Sequence, residues 1–206
     1  MVRHCLPNTG ELYFEKMDVG SNAVGKISKW ATTHQNEIQV SSIRNPYDVV
    51  LSDIIMLIMA SQRDSATNPG LADLLLNDDS FFIKRANIEI KILEKYYLAI
   101  QKYADSTHLV YKFEDIVDSN KQSLVIKDIM QSAGYEISPE FDSLFELAEM
   151  QASNGTLSRT DIIVNPENRN ALYATIGDKF ARLSDSFGFD LVNAAYESAL
   201  TKAKTF

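Results

Sequence analysis

The stretch Ser41–Ile54, "SSIRNPYDVVLSDI", decides the fold. It opens inside "EIQVSSI", where the β-branched residues Ile38, Val40 and Ile43 give strand character. Asn45 then offers an N-cap, Pro46 suits the first helical position, and Asp48 three residues after the cap completes the start signal of a helix predicted to run to about Ser61. A strand that feeds a helix N-terminus is the building unit of a parallel α/β sheet, and such sheets bind ligands at the carboxyl ends of their strands. Arg44 stands at that end, and Ser52 follows eight residues later inside the apolar helix. A guanidinium there can chelate phosphate oxygens, while Cβ tilt directs the Ser52 hydroxyl back toward the helix start, where unpaired N–H groups also attract anions. A surface arginine beside a serine bonded to its own helix backbone explains the same spacing, and spacing alone leaves both readings open.

Upstream, "VRHCL" reads as a buried strand stopped by the loop "PNTG", followed by a short helix through "ELYFEKM" and a second strand in "KWATTH". Downstream, "QRDSATNPG" is a loop and "LADLLL" a short helix. From Phe81 to Ala104, the apolar residues Ile83, Ala86, Ile90, Leu93, Tyr97, Ile100 and Ala104 recur at spacings of three and four, as one face of a long helix requires. "HLVYKF" returns to strand character, and "DSNKQSLVIKDIMQSAGYEI" predicts a helix ending at Gly134. "PEFDSLFELAEM" and "PENRNALYATIGDKFARLSDSFGF" each open with Pro-Glu, suited to a first helical turn, and "DLVNAAYESALTKAK" is a last helical segment. The expected fold is α/β: a three-layer sandwich with a short central parallel sheet flanked by helices and a helix-rich C-terminal half, in one domain over residues 1–206.

Composition narrows the function. With 45% hydrophobic and 23% charged residues the chain has the make-up of a soluble globular protein rather than a disordered one. A net charge of −8 argues against nucleic-acid or membrane-surface partners, since both are polyanionic. The single cysteine, Cys5, excludes an intramolecular disulfide and suits a reducing compartment. No secretory leader is legible after Met1, and the longest apolar run, "DIIMLIMA", is too short to span a bilayer, so the expected location is cytoplasmic. Three scattered histidines suggest no metal site, and His4 and His108 read as structural. Tyr13, Trp30, Tyr47, Tyr96 and Tyr97 are candidate stacking rings, of which Tyr97 lies on the apolar stripe and Trp30 beside "TTH" is the better ligand candidate.

"RNPYDVVLS" resembles the 3′-phosphate-binding segment of sulfotransferases that use 3′-phosphoadenosine 5′-phosphosulfate (PAPS), an Arg-Asn-Pro or Arg-Asp-Pro start followed by Asp-x-x-x-Ser, with Arg44, Asn45, Pro46, Asp48 and Ser52 in register. "LPNTGELY" is similar to the family's 5′-phosphosulfate loop, "TTH" to its Lys-Thr-His stretch, "LVYKFEDIVD" to its Arg-Tyr-Glu-Asp-Leu strand end, and "SAGYEISPE" to its Phe-Leu-Gly turn. "DSFGF" is a looser echo. The resemblance implies a P-loop-like sulfotransferase fold and a nucleotide-binding transferase that moves a sulfuryl group from PAPS to a small-molecule or glycan hydroxyl, releasing 3′-phosphoadenosine 5′-phosphate, with no metal. It implies cofactor-binding roles for Asn8, Thr9, Gly10, Arg44 and Ser52, with Arg159 in "SNGTLSRTD" standing for the C-terminal Arg-Lys-Gly segment, and a catalytic-base role for His34. Nucleic-acid and membrane partners are not expected, and a homo-oligomer is compatible with the sequence.

The departures are specific. The family's loop lysine falls on Asn8, its two loop threonines on Glu11 and Leu12, and the lysine before the base on Thr32. Two cations that would stabilise the departing phosphate are thereby missing. An alternative therefore stands beside catalysis: a decayed sulfotransferase-fold protein that binds nucleotide or serves as a structural interaction module. A P-loop kinase fares worse, because no Gly-Lys-Ser/Thr follows a glycine-rich loop. Glu114 and Asp115 close the "LVYKF" strand, where a carboxylate either orients His34 or, at Asp115, caps a helix.

Overall fold

The computed structural model describes residues 38–63, 70–104, 108–143 and 166–206. The strands expected in "VRHCL" and "KWATTH", the helix in "ELYFEKM" and most of the one in "PEFDSLFELAEM" lie outside them. Strand β1 (Gln39–Ile43) is followed by helices α1 (Pro46–Arg63), α2 (Leu71–Asn77) and α3 (Asp79–Tyr103), then by strand β2 (His108–Lys112). Helices α4 (Phe113–Val117), α5 (Ser119–Ser132) and α6 (Pro166–Arg182) come next, then a 3₁₀ turn at Ser184–Ser186 and helix α7 (Phe189–Leu200). β1 and β2 pair in parallel, with Gln39 opposite His108 and Ile43 opposite Lys112. The described chain is thus mostly helical with one two-stranded parallel sheet, an α/β make-up in the general sense.

The chain divides into two compact units. The first comprises Met1–Arg44, Lys91–Glu136 and Asp190–Phe206. Its core holds Leu109, Tyr111 and Val125, against which Ile38, Ile116 and Ile129 pack. The first four residues of β2 are buried, as a short apolar strand in a parallel sheet should be. Tyr96 donates its hydroxyl to Ser42 O at 2.9 Å and Tyr97 donates to Arg44 O, so two buried phenols satisfy carbonyls two residues apart along the β1 segment. Asp118 caps α5 by accepting from the Asn120 N–H at 3.0 Å. The same helix ends in a Schellman motif: Gly134 takes φ 83°, its N–H donates to Gln131 O at 2.9 Å, and Tyr135 N–H donates to Met130 O at 3.0 Å.

The second unit comprises Asn45–Ile90 and Ile137–Phe189. α1 buries Val50, Leu51, Ile54, Ile55 and Ile58, which lie three and four apart as one helix face demands. Its cap matches the sequence reading, since Asn45 Oδ1 accepts from the Tyr47 N–H at 2.9 Å. The helix runs on through Gln62 and Arg63, which the sequence suggested were loop. α2 starts on Gly70, which has no side chain to cap with, and Ser61 Oγ supplies the missing acceptor to Ala72 N–H at 3.2 Å. Asp78 Oδ1 caps α3 through the Ser80 and Phe81 N–H groups at 2.9 and 3.0 Å. Five rings, Tyr47, Phe82, Phe180, Phe187 and Phe189, make a chain of edge-on and tilted contacts with centroids 4.8 to 6.2 Å apart.

Candidate functional site

Of the residues that the sequence marks for a phosphosulfate site, Asn8, Thr9, Gly10, His34 and Arg159 lie outside the described residues, as do Tyr13 and Trp30. Arg44 and Ser52 are described, one in each unit.

Arg44 follows the last residue of β1 and is half-buried. Its carbonyl is held by the Tyr97 hydroxyl, and its guanidinium carbon lies 4.9 Å from the Phe113 ring centroid, a cation–π contact. Burial above all, and then the neighbouring phenols Tyr96 and Tyr196, push the Tyr97 hydroxyl well above its ordinary range, so it remains a donor to the Arg44 carbonyl.

Ser52 sits half-buried in the second turn of α1. Beside it in sequence is Asp53, which the motif reading passed over. Burial, reinforced by Glu89 and opposed by Arg85, raises the Asp53 carboxyl from 3.8 to about 6. Arg85 is bonded to Glu89 one turn further along α3, and its Nε is buried with no hydrogen-bond partner among the described residues. The i, i+4 Arg-Glu pair was legible in the sequence; that Asp53 faces it was not.

Several expected roles resolve differently. Asp115 does not cap a helix: it lies in the first turn of α4, buried, and accepts from Lys121 Nζ at 2.6 Å. Glu114 is exposed. His108 is buried on β2, its Nε2 hydrogen-bonded to Ser41 Oγ on β1 at 2.8 Å, in keeping with a structural reading. Tyr96 and Tyr97 are core rings, whereas Tyr47 is exposed and meets Phe180 and Phe189 with centroids at 5.5 and 6.0 Å. Among the described residues, no group of three or more His, Cys, Asp and Glu is arranged to hold a metal ion, and no helix is long and apolar enough to cross a membrane.

The chain matches no protein-family model, no curated protein and no solved structure.

Proposed function

We propose that the protein is a PAPS-dependent sulfotransferase of P-loop-like fold, with a sheet flanked by helices as that family has, acting on a hydroxyl acceptor. The observation that carries the reading is the fit of "RNPYDVVLS" to its elements: Arg44 immediately follows β1, Asn45 caps α1, Pro46 opens it, and Ser52 lies on it. It is the resemblance that assigns the 3′-phosphate of the nucleotide to Arg44 and Ser52, and the 5′-phosphosulfate to the loop of Asn8, Thr9 and Gly10, with Arg159 as a further cation. The cation–π contact of Arg44 with Phe113 supports the assignment, because a guanidinium held against a ring loses less freedom on binding an oxyanion.

In the proposed step the acceptor oxygen attacks sulfur in line with the bridging oxygen. The new O–S bond forms as the sulfur–phosphate oxygen bond breaks, His34 takes the acceptor proton, and 3′-phosphoadenosine 5′-phosphate departs with the electron pair. Asn8 and Thr32 favour a second reading, in which the nucleotide binds and no transfer follows, because the cations that would stabilise the departing phosphate are missing.

Titration with 3′-phosphoadenosine 5′-phosphate tests both. The parent protein should bind it, and Arg44→Ala should weaken binding by about 1.5–3 kcal/mol, the range for a hydrogen bond to a charged group, while Ser52→Ala should weaken it less. No binding at millimolar ligand overturns both readings. Equal affinity in a folded Arg44→Ala variant overturns the phosphate assignment. Turnover of labelled PAPS then separates the two: His34→Ala should lower it by ~10²–10⁴ with affinity kept, whereas a parent that binds and never transfers sulfate is the non-catalytic module.

A further inference from the structure

β2 has β1 along one edge, and on its other edge the structure sets residues from beyond α7. α7 ends at Leu200, two turn bonds follow, Lys202 N–H to Ala199 O at 2.9 Å and Ala203 N–H to Leu200 O at 3.1 Å, and the chain then runs parallel to β2. The backbone contribution is small: one bridge between Tyr111 and Lys204, with Lys204 N–H donating to Val110 O at 2.8 Å. A single ladder bond does not fix a strand, and side chains hold the segment instead. Lys204 Nζ lies 2.8 and 2.6 Å from the two carboxylate oxygens of Asp128 on α5. The Tyr111 hydroxyl donates to the same carboxylate at 2.6 Å. Phe206 stacks on the Tyr111 ring, centroids 5.9 Å apart and planes 21° from parallel. One carboxylate thus joins the sheet, α5 and the added segment.

We infer that Thr201–Phe206 is a detachable strap, latched by the Lys204–Asp128 pair, that closes over the outer edge of β2. The latch and the strap's own ring are partly in water. The Lys204 and Asp128 side chains are 37% and 27% exposed, and Phe206 is 39% exposed. Such contacts break far more often than the buried β1–β2 ladder beneath them. The strap also supplies Thr201, Lys202 and Lys204 to one side of a cleft of about 260 Å³ whose other side is Ala104 and His108–Val110. Among the described residues, release therefore opens the cleft and bares the β2 edge, whose N–H and C=O groups can then pair with another strand. The closed strap is the guard on that edge, and the Asp128 charge is its catch.

Asp128→Asn in the full chain tests this, since the amide keeps the size of the side chain and an acceptor for Tyr111 while removing the charge that holds Lys204. Amide exchange followed by NMR should accelerate at least tenfold at Lys204, and trypsin should cut after Lys202 and Lys204 correspondingly faster. The amides of β1, Gln39–Ile43, which the strap does not touch, should keep their parental rates. Unchanged exchange at Lys204 overturns the inference, and so does equal acceleration of strap and β1, which would make Asp128 an ordinary core support. If Asp128→Asn does not fold, Phe206→Ala decides. It removes only the exposed stacking ring, and should raise strap exchange several-fold with β1 unaltered; no rise overturns the strap.

Discussion

Lys179→Met isolates the charge of a buried lysine from its packing. Lys179 lies on α6 and is 6% exposed. Its ammonium donates to Leu75 O at 3.1 Å and Leu76 O at 2.9 Å, lies 3.1 Å from Asp79 Oδ1, and sits 4.8 Å from the Phe82 ring centroid. The two carbonyls belong to the last turn of α2, which has no basic residue of its own there. The Asp78 N–H already satisfies Leu74 O, so the lysine caps two acceptors that a seven-residue helix leaves open. Each hydrogen bond to a charged donor is worth ~1.5–3 kcal/mol, but methionine fills the space and spares the desolvation of an ammonium. A net loss of about 3 kcal/mol is expected, with Tm lower by roughly 6–12 °C for a chain of this size.

Urea unfolding followed by circular dichroism measures that loss. Arg182→Met is the comparison: Arg182 binds the same Asp79 carboxylate at 2.7 and 3.0 Å, but in solvent, so its removal should cost far less. Hydrogen bonds from Arg182, then from Lys179, hold the Asp79 carboxyl down from 3.8 to about 2. A depressed carboxyl adds stability that is complete above about pH 4 and lost as pH falls toward 2, so acid should shrink the difference between the parent and Asp79→Asn. A Lys179→Met loss below ~0.5 kcal/mol would refute the capping argument and make Lys179 a lysine whose stem packs while water serves the α2 carbonyls.

Asp53 should work in the opposite sense: its folded pKa of about 6 lies above the ordinary 3.8, so the folded state binds the extra proton between pH 4 and 6 and loses stability as pH rises through that window. Asp53→Asn should be the more stable protein by ~1–2 kcal/mol at pH 7.5, a figure discounted for the partial exposure of the group, and equal to the parent below pH 4; a difference that does not vary with pH in urea unfolding would exclude the raised carboxyl. Gly134→Ala should cost about 1–2 kcal/mol through the left-handed φ of 83° alone, since a Cβ there meets nothing within 4 Å. A thermal midpoint equal to the parent's would show that α5 ends without its Schellman turn.

What the sequence made legible and what it hid divide along a physical line. Local signals act within a few residues: the Asn45-Pro46 start of α1, the three-and-four spacing that makes α3, and the glycine that stops α5 are each written where they operate, and each is found in the structure. Pairings between residues far apart are not written anywhere in the sequence. "DLVNAAYESALTKAK" looks helical to its end, yet α7 stops at Leu200 and the Lys204 N–H bonds instead to Val110 O at the β2 edge. Lys179 reads as a solvated helix charge, because lysine is almost never buried unless something pairs it, and its partners lie about a hundred residues away. The candidate site shows both behaviours in one residue. The place of Arg44 at a strand end was legible from its neighbours, whereas its guanidinium is steadied by Phe113, a ring from the far side of the first strand-to-strand connection. A phosphate-binding arginine owes its affinity to being held still as much as to its charge, and only the fold supplies that. The motif proposes a ligand from adjacent residues, whereas the Phe113 contact at Arg44 is a pairing that only the fold makes visible.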